Sequence, residues 1–328
     1  MLEIKHLSLG VPASGGLVPA VSDVSFSLEP GQVLGLVGES GCGKTLCAQS
    51  ILRLGEHQGI GRMQGRIVLD GNDIFSMNNA QLQKVRGGRI GMVFQEPMTA
   101  LNPVFSIGAQ ITEVVRLHQD ASRVQARKLA LDLLGDVGLR DADRLLEQYP
   151  DSLSGGMRQR VLIAMAMAGR PDYVIADEPT TALDVSVQAR IVQLLRRLQL
   201  EHGMGLLLVT HDFGLVAELA DNVAVMYAGQ IVEQGPVAQI FDRPAHPYTR
   251  ALLACRPEVA EQGKILPVIS GQVPLPGHWP AGCRFANRCA WADKGCDEFV
   301  PEGAWGARAH WARCIHVDRI ADVVEVKS

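Results

Sequence analysis

Gly38-Glu39-Ser40-Gly41-Cys42-Gly43-Lys44-Thr45 stands between an apolar, strand-like run at 32–37 and a helix-compatible segment. Small residues at these positions let successive backbone N–H groups turn inward around a triphosphate. The following helix presents the positive end of its dipole, the lysine reaches the terminal phosphates, and the threonine hydroxyl can ligate Mg²⁺. The stretch reads as a P-loop, and the chain as a nucleotide-binding protein.

A length of 328 residues allows one large domain or two modest ones with a full hydrophobic core. With 31 basic against 35 acidic residues, the net charge of −4 does not point to a chain whose main partner is a nucleic-acid backbone, although it leaves room for a local basic patch. No apolar run approaches the roughly 18 residues needed to cross a bilayer. Met1-Leu2-Glu3-Ile4-Lys5 lacks a basic-then-apolar export signal, so the chain is expected to stay in the cytosol. In that reducing compartment its seven cysteines are not expected to form disulfides.

Residues 2–9 and 24–28 alternate like strands, with Ser14-Gly15-Gly16 as a turn between antiparallel neighbours, and 65–69 and 90–94 are further strands. From Pro97 to Leu146, apolar spacing through Ile107, Ile111, Val114 and Val115 and again through 129–134 predicts a helical subdomain. The β-prone runs 173–176, 206–209 and 223–227 alternate with helical stretches, the rhythm of a mostly parallel sheet with crossovers. Beyond Ile240 proline becomes frequent, and the core is expected to end there.

Asp177-Glu178 closes the apolar run 173–176. An acid at the end of a buried strand beside a P-loop suits the Mg²⁺ shell, and an acid next to it suits orienting or deprotonating a water. Acids before a proline such as Pro179 also serve simply as turn caps. Leu153-Ser154-Gly155-Gly156-Met157-Arg158-Gln159-Arg160 precedes a strongly helical segment. Read alone, its Ser-Gly-Gly is an N-cap. Beside a P-loop it is a second anion-binding helix start, which needs either two partners or one phosphate approached from opposite sides, and the second of these implies a dimer.

The P-loop, Gln95 in Val93-Phe94-Gln95-Glu96-Pro97, the segment 153–159, Asp177-Glu178, Ala182-Leu183-Asp184 and His211 occur in the order found in the ATPase subunits of ABC transporters, which the chain resembles over essentially its whole length. The resemblance implies an α/β P-loop NTPase core with an antiparallel β subdomain, a helical subdomain at about 97–165 and a small cysteine-rich C-terminal extension. The nucleotide-binding domain would occupy 1–240 and the extension 241–328. It further implies two ATPase domains packed head to tail around two ATP molecules. Gly38, Glu39, Ser40, Gly41, Cys42 and Gly43 would wrap the phosphates, and Lys44 would neutralise them. Mg²⁺ would be held by Thr45 and Gln95 and, through water, by Asp177. Glu178 would polarise the attacking water and His211 would contact the γ-phosphate. Ser154, Gly155 and Gly156 would close the partner's site and Asp184 would act across the interface. Gln95 would relay closure to a membrane subunit. One departure is Val11, where the family usually has an aromatic ring that stacks on adenine. Another is Cys42, at a place usually taken by a residue such as serine.

Cys283, Cys289, Cys296 and Cys314 fall in the last segment, with five, six and seventeen residues between them and no short Cys-x2-Cys pair. Soft sulfur donors suit iron–sulfur clusters or zinc. The Gly282-Cys283-Arg284-Phe285 and Arg288-Cys289 contexts resemble the C-terminal extension of peptide and nickel importer ATPases, which implies a four-iron four-sulfur cluster, with zinc as the alternative. His310 and His316 flank Cys314 as substitute ligands, while Cys42, Cys47 and Cys255 read as packing residues. The resemblance implies an ATPase powering di- or oligopeptide import, or else nickel or nickel-chelate import. Its partners would be a second ATPase subunit, two integral membrane permeases and an extracytoplasmic solute-binding protein, with no nucleic acid. The chain would sit peripherally on the cytoplasmic face of the cell (inner) membrane. A soluble ATPase of the same superfamily acting on DNA or ribosomes is the alternative of another class. Such proteins usually carry a long coiled-coil insertion or two cassettes, and this chain has neither.

Overall fold

The computed structural model describes residues 1–181, 183–256, 267–298, 305–307 and 309–321. It divides into a first unit of Met1–Ser27, Val33–Phe75 and Val209–Ser328 and a second of Leu28–Gln32 and Ser76–Leu208.

In the first unit, β1 (Leu2–Ala13) and β2 (Gly16–Leu28) form a hairpin longer than their alternation predicts. Leu2 and Ile4, and then Leu7 and Leu9, alternate toward the core and are buried, the phase being reset between the pairs by an irregularity at His6, whose φ is 50°. β3 (Val33–Val37) is buried on both faces, as a central parallel strand is, and leads through the P-loop into α1 (Lys44–Ile51). β4 (Gly61–Leu69) pairs antiparallel with β1, Ile4 opposite Ile67, and β5 (Asn72–Asp73) completes a sheet of order β2-β1-β4-β5.

The second unit holds α2 (Asn79–Val85), β6 (Ile90–Val93), α3 (Pro97–Ala100), α4 (Ile107–His118), α5 (Arg123–Asp136), α6 (Ala142–Leu146) and α7 (Gly155–Met167). Its remaining elements are β7 (Tyr173–Asp177) and α8 (Val185–His202). Asn78 with Gln81 and Ser122 with Gln125 form capping boxes that start α2 and α5. Ile107, Ile111 and Val115 recur every fourth residue of α4 and are fully buried on one face. β6 and β7 pair in parallel, Ile90 beside Tyr173 and Val93 beside Ala176, which places Asp177 at the C-terminal end of a strand with both faces covered.

β8 (Gly205–Thr210) carries the boundary back to the first unit, followed by α9 (Phe213–Leu219) and β9 (Asn222–Tyr227), which lies parallel to β3. β10 (Gln230–Pro236) turns back antiparallel on β9, a strand that the sequence pattern did not separate from its neighbour. After α10 (Val237–Asp242) and α11 (Pro247–Ala254), the tail returns to this same sheet. β11 (Trp305–Ala307) pairs with β12 (His310–Ala312), and β12 pairs with β10, Glu233 opposite Ala312; α12 (Val317–Ala321) follows.

Glu233 fastens that return. Fully buried, it accepts hydrogen bonds from the backbone N–H of Ala245 (2.7 Å) and of His246 (2.9 Å) and lies 2.8 Å from His310 Nε2. Burial lowers the His246 pKa to about 4, so that ring stays neutral and its Nδ1 accepts from Tyr248 N–H at the start of α11. Glu233→Ala strands two buried amides and a histidine, and about 3 kcal/mol of stability should be lost. Urea denaturation followed by circular dichroism checks this; an unchanged midpoint contradicts it.

Candidate functional site

The first unit holds the loop read from sequence as phosphate-binding. Gly38 has φ 154°, and a Cβ there would lie 2.1 Å from the Met226 carbonyl oxygen on β9, so glycine is required by both backbone and space. Lys44 is 4 % exposed and folds back on the loop, its Nζ donating to the carbonyls of Gly38 (2.8 Å) and Glu39 (3.1 Å). These are weak neutral acceptors that a triphosphate can replace. Cys42 is fully buried; burial pushes its thiol pKa up against the pull of Lys44, so the thiol is a packing group and not a reactive one. His211, exposed, follows the end of β8. Val11 lies half-buried on β1.

The second unit holds the adjacent acids Asp177 and Glu178. Asp177, 1 % exposed, ends β7, and Glu178 follows in the left-handed region at φ 45°. Such a backbone costs a non-glycine residue about 1–3 kcal/mol and persists only where its surroundings hold it. They do so here: Glu178 Oε2 accepts from Gln95 Nε2 (3.1 Å) and from the Thr181 hydroxyl (2.9 Å). Gln95, read from sequence as a metal ligand and relay, is thus brought to the proposed base. Thr181 had no sequence signal beyond its place after the acids.

Ser154 caps α7, accepting from Met157 N–H at 3.4 Å, and stays exposed with Gly155. Gly156 lets this helix start approach α8, because a Cβ there would meet Val187 at 2.8 Å. Asp184 caps α8, while Ala182, two residues before it, lies outside the described residues. The Asp184 carboxylate accepts from the Ser186 hydroxyl (2.7 Å) and Val187 N–H (3.0 Å), and these bonds hold its pKa below the usual carboxylate range. The two exposed helix starts are therefore joined, and both offer groups to an incoming surface.

The four tail cysteines come together in the first unit. Cys283 N–H donates to the Cys296 carbonyl (2.8 Å), and the thiols of Cys283, Cys289 and Cys296 each add to the burial that pushes Cys314 up to about 12. N–H groups of Trp291 and His316 donate to the sulfurs of Cys289 and Cys314, both at 3.4 Å. His310 is committed to Glu233. Among the described residues, Asp293, Cys296 and His316 form the one set of three or more donors lying within 4.8 Å of one another.

The same segment touches the P-loop, which sequence reasoning missed. Arg288 Nη1 and Nη2 donate to Glu39 Oε2 (2.7 Å) and Oε1 (2.9 Å), and Glu39 N–H donates to the Tyr248 hydroxyl at 2.8 Å. Tyr227, Tyr248 and Phe285 pack as an aromatic cluster behind the pair, with ring centroids 4.6–5.3 Å apart.

The family model described as ABC transporter matches residues 21–181, and that of the oligopeptide/dipeptide transporter C-terminal region matches 232–296. A protein of Brucella abortus (strain 2308) named "Putative peptide import ATP-binding protein" is 49 % identical over 296 residues, 90 % of this chain and 89 % of its own. A Brucella melitensis protein of the same description is 46 % identical, covering 98 % of each chain. Among solved structures, the dimeric post-hydrolysis state of the ATP-binding cassette MJ0796 bound to ADP and Pi is 27 % identical. It matches 72 % of this chain and 99 % of its own with a TM-score of 0.65. A Clostridium perfringens protein, cbiO1, part of the ABC transporter complex cbiONQ, is 27 % identical; 74 % of this chain and 91 % of its own align with a TM-score of 0.63.

Gly38→Ala forces the loop away from β9. Affinity for a fluorescent ATP analogue should fall about tenfold or more, and a titration giving the parent's Kd contradicts this reading of the loop.

Proposed function

This chain belongs to the ABC transporter family of ATP-binding proteins, and from that premise we propose that it is the ATP-hydrolysing subunit that powers import of di- and oligopeptides through a membrane transporter. The observation that carries the peptide assignment is the likeness to a named peptide import ATP-binding protein over 98 % of the chain, tail included.

The P-loop amides receive the triphosphate, and Lys44 exchanges the carbonyls of Gly38 and Glu39 for phosphate oxygens. Thr45, Gln95 and Asp177 offer hard oxygen donors suited to Mg²⁺, Asp177 from the end of a buried strand. Glu178, aimed by Gln95 and Thr181, takes a proton from the attacking water, and His211 steadies the γ-phosphate. Ser154, Gly155, Gly156 and Asp184 serve the neighbouring cassette, since a dimer is the form in which the related MJ0796 holds ADP and Pi. Positioning and charge stabilisation dominate phosphoryl transfer, so closure of that dimer is the catalytic switch. No helix among the described residues is long and apolar enough to cross a membrane; by its likeness to import ATPases the chain is read as a peripheral subunit on the cytoplasmic face, served by separate permeases and a solute-binding protein.

Cys283, Cys289, Cys296 and Cys314 are assigned to a four-iron four-sulfur cluster. What supports this is the soft donor chemistry of four thiols near one another in one segment, which zinc would also suit. Such a cluster, when bound, cross-links the tail and supplies a one-electron couple. Anaerobic purification should give a brown protein with about four irons and labile sulfide per chain; one zinc in a colourless preparation overturns the assignment.

Glu178→Gln should retain ATP binding while hydrolysis and labelled-peptide uptake by the reconstituted transporter fall about 10²–10⁴-fold. Turnover at the parent's rate removes Glu178 as the base. Nickel uptake without peptide uptake removes the substrate assignment.

A further inference from the structure

A carboxylate inside a phosphate-binding loop is an electrostatic liability, because it stands beside the place where a triphosphate must sit. Glu39 is the one acidic residue of Gly38-Glu39-Ser40-Gly41-Cys42-Gly43-Lys44-Thr45. Its two oxygens are taken in a bidentate pair by Arg288, one residue before Cys289. Arg288 is nearly fully committed: Nη2 also donates to the Ile269 carbonyl (3.1 Å), Nε to the Ser270 carbonyl (2.9 Å) and Nη1 to the Tyr227 hydroxyl (3.4 Å). The Arg288 side chain is 4 % exposed and that of Glu39 29 %, so the pair is anchored from the tail side and opens toward the loop. An arginine fork of this kind fixes orientation as well as charge, which a lysine would not.

We infer that Arg288 is a positioning residue for the nucleotide site: by holding both oxygens of Glu39 it neutralises the loop's own negative charge, and it makes the fit of the loop to ATP depend on the folded cysteine-bearing segment. The inference rests on the reading of the loop as the ATP site. It extends the tail's role from cross-linking itself to setting nucleotide affinity.

The test is a double-mutant cycle on the full chain, with a fluorescent ATP analogue and Mg²⁺ as the probe. Arg288→Met leaves Glu39 charged and uncompensated, and its Kd should rise about tenfold, with KM for ATP rising in step and kcat largely kept. Glu39→Gln added to Arg288→Met removes the charge that needed neutralising and should bring Kd back to within about twofold of the parent. Thermal melting of each variant separates this from loss of fold. If Arg288→Met does not fold, Arg288→Lys, which keeps the charge but not the fork, should raise Kd by a smaller factor that Glu39→Gln again reverses.

A folded Arg288 variant with the parent's Kd overturns the inference. So does a raised Kd that Glu39→Gln fails to restore, which marks Arg288 as a structural residue only. Lys44→Ala is the reference. If it abolishes binding while the Arg288 variants do not weaken it, this inference alone fails; if it leaves binding intact, the loop is not the ATP site and both readings fail.

Discussion

An anion-binding loop must keep its N–H groups turned inward, although each has other partners within reach, and here the loop is gripped from both flanks. The Met226 carbonyl on β9 leaves room for nothing larger than glycine at Gly38, and Gly229 N–H, in the turn after β9, donates to the Cys42 carbonyl at 2.8 Å. On the other side Tyr248 and Arg288 hold the backbone and the side chain of Glu39. The parallel pairing of β3 with β9 comes first in this hierarchy, because it places both the loop and the turn that braces it. The loop's conformation is thus a property of the sheet and of the tail packed beside it, more than of its own eight residues.

What the sequence made legible was local. Glycine, lysine and threonine at fixed spacing, acids at a strand end and Ser-Gly-Gly before a helix each act through the backbone of their own few residues, so the pattern carries the chemistry directly. The helical stretch after Pro97 declared itself through fourfold apolar spacing, and α4 buries those residues. Long-range choices were not legible. Glu39 and Arg288 lie 249 positions apart, and either one alone is an ordinary surface type. The tail strands β11 and β12 are three residues each, too short for alternation to register, and they are strands only because β10 offers an edge. β10 itself was hidden because the turn joining it to β9 is only two residues long.

The pair Asp177-Glu178 shows how strain and hydrogen bonding divide the labour. A left-handed glutamate is unfavourable by itself, and Asp177 immediately before it is fixed at the end of a fully buried strand. The chain must therefore turn sharply between two neighbouring acids, keeping one at the buried end of β7 and sending the other toward Gln95 and Thr181. Two adjacent carboxylates given different surroundings can take different tasks, one holding a cation and the other a water, where identical surroundings would leave them competing for the same charge.

Glu233 and Glu39 show the same division in the tail. Glu233 is fully buried and meets two backbone amides and a histidine, so replacing its partners leaves an uncompensated charge with no water to screen it. That arrangement tolerates no adjustment and fixes where the tail joins the sheet. Glu39 is partly exposed and meets a guanidinium that is itself held by two carbonyls and a tyrosine. A pair half open to solvent is easier to shift than a sealed one, because water takes up part of any charge it releases. The rigid contact therefore lies where the tail is anchored and the adjustable one where it reaches the nucleotide loop. Arg288 is thus the point at which the cysteine-bearing segment meets the loop.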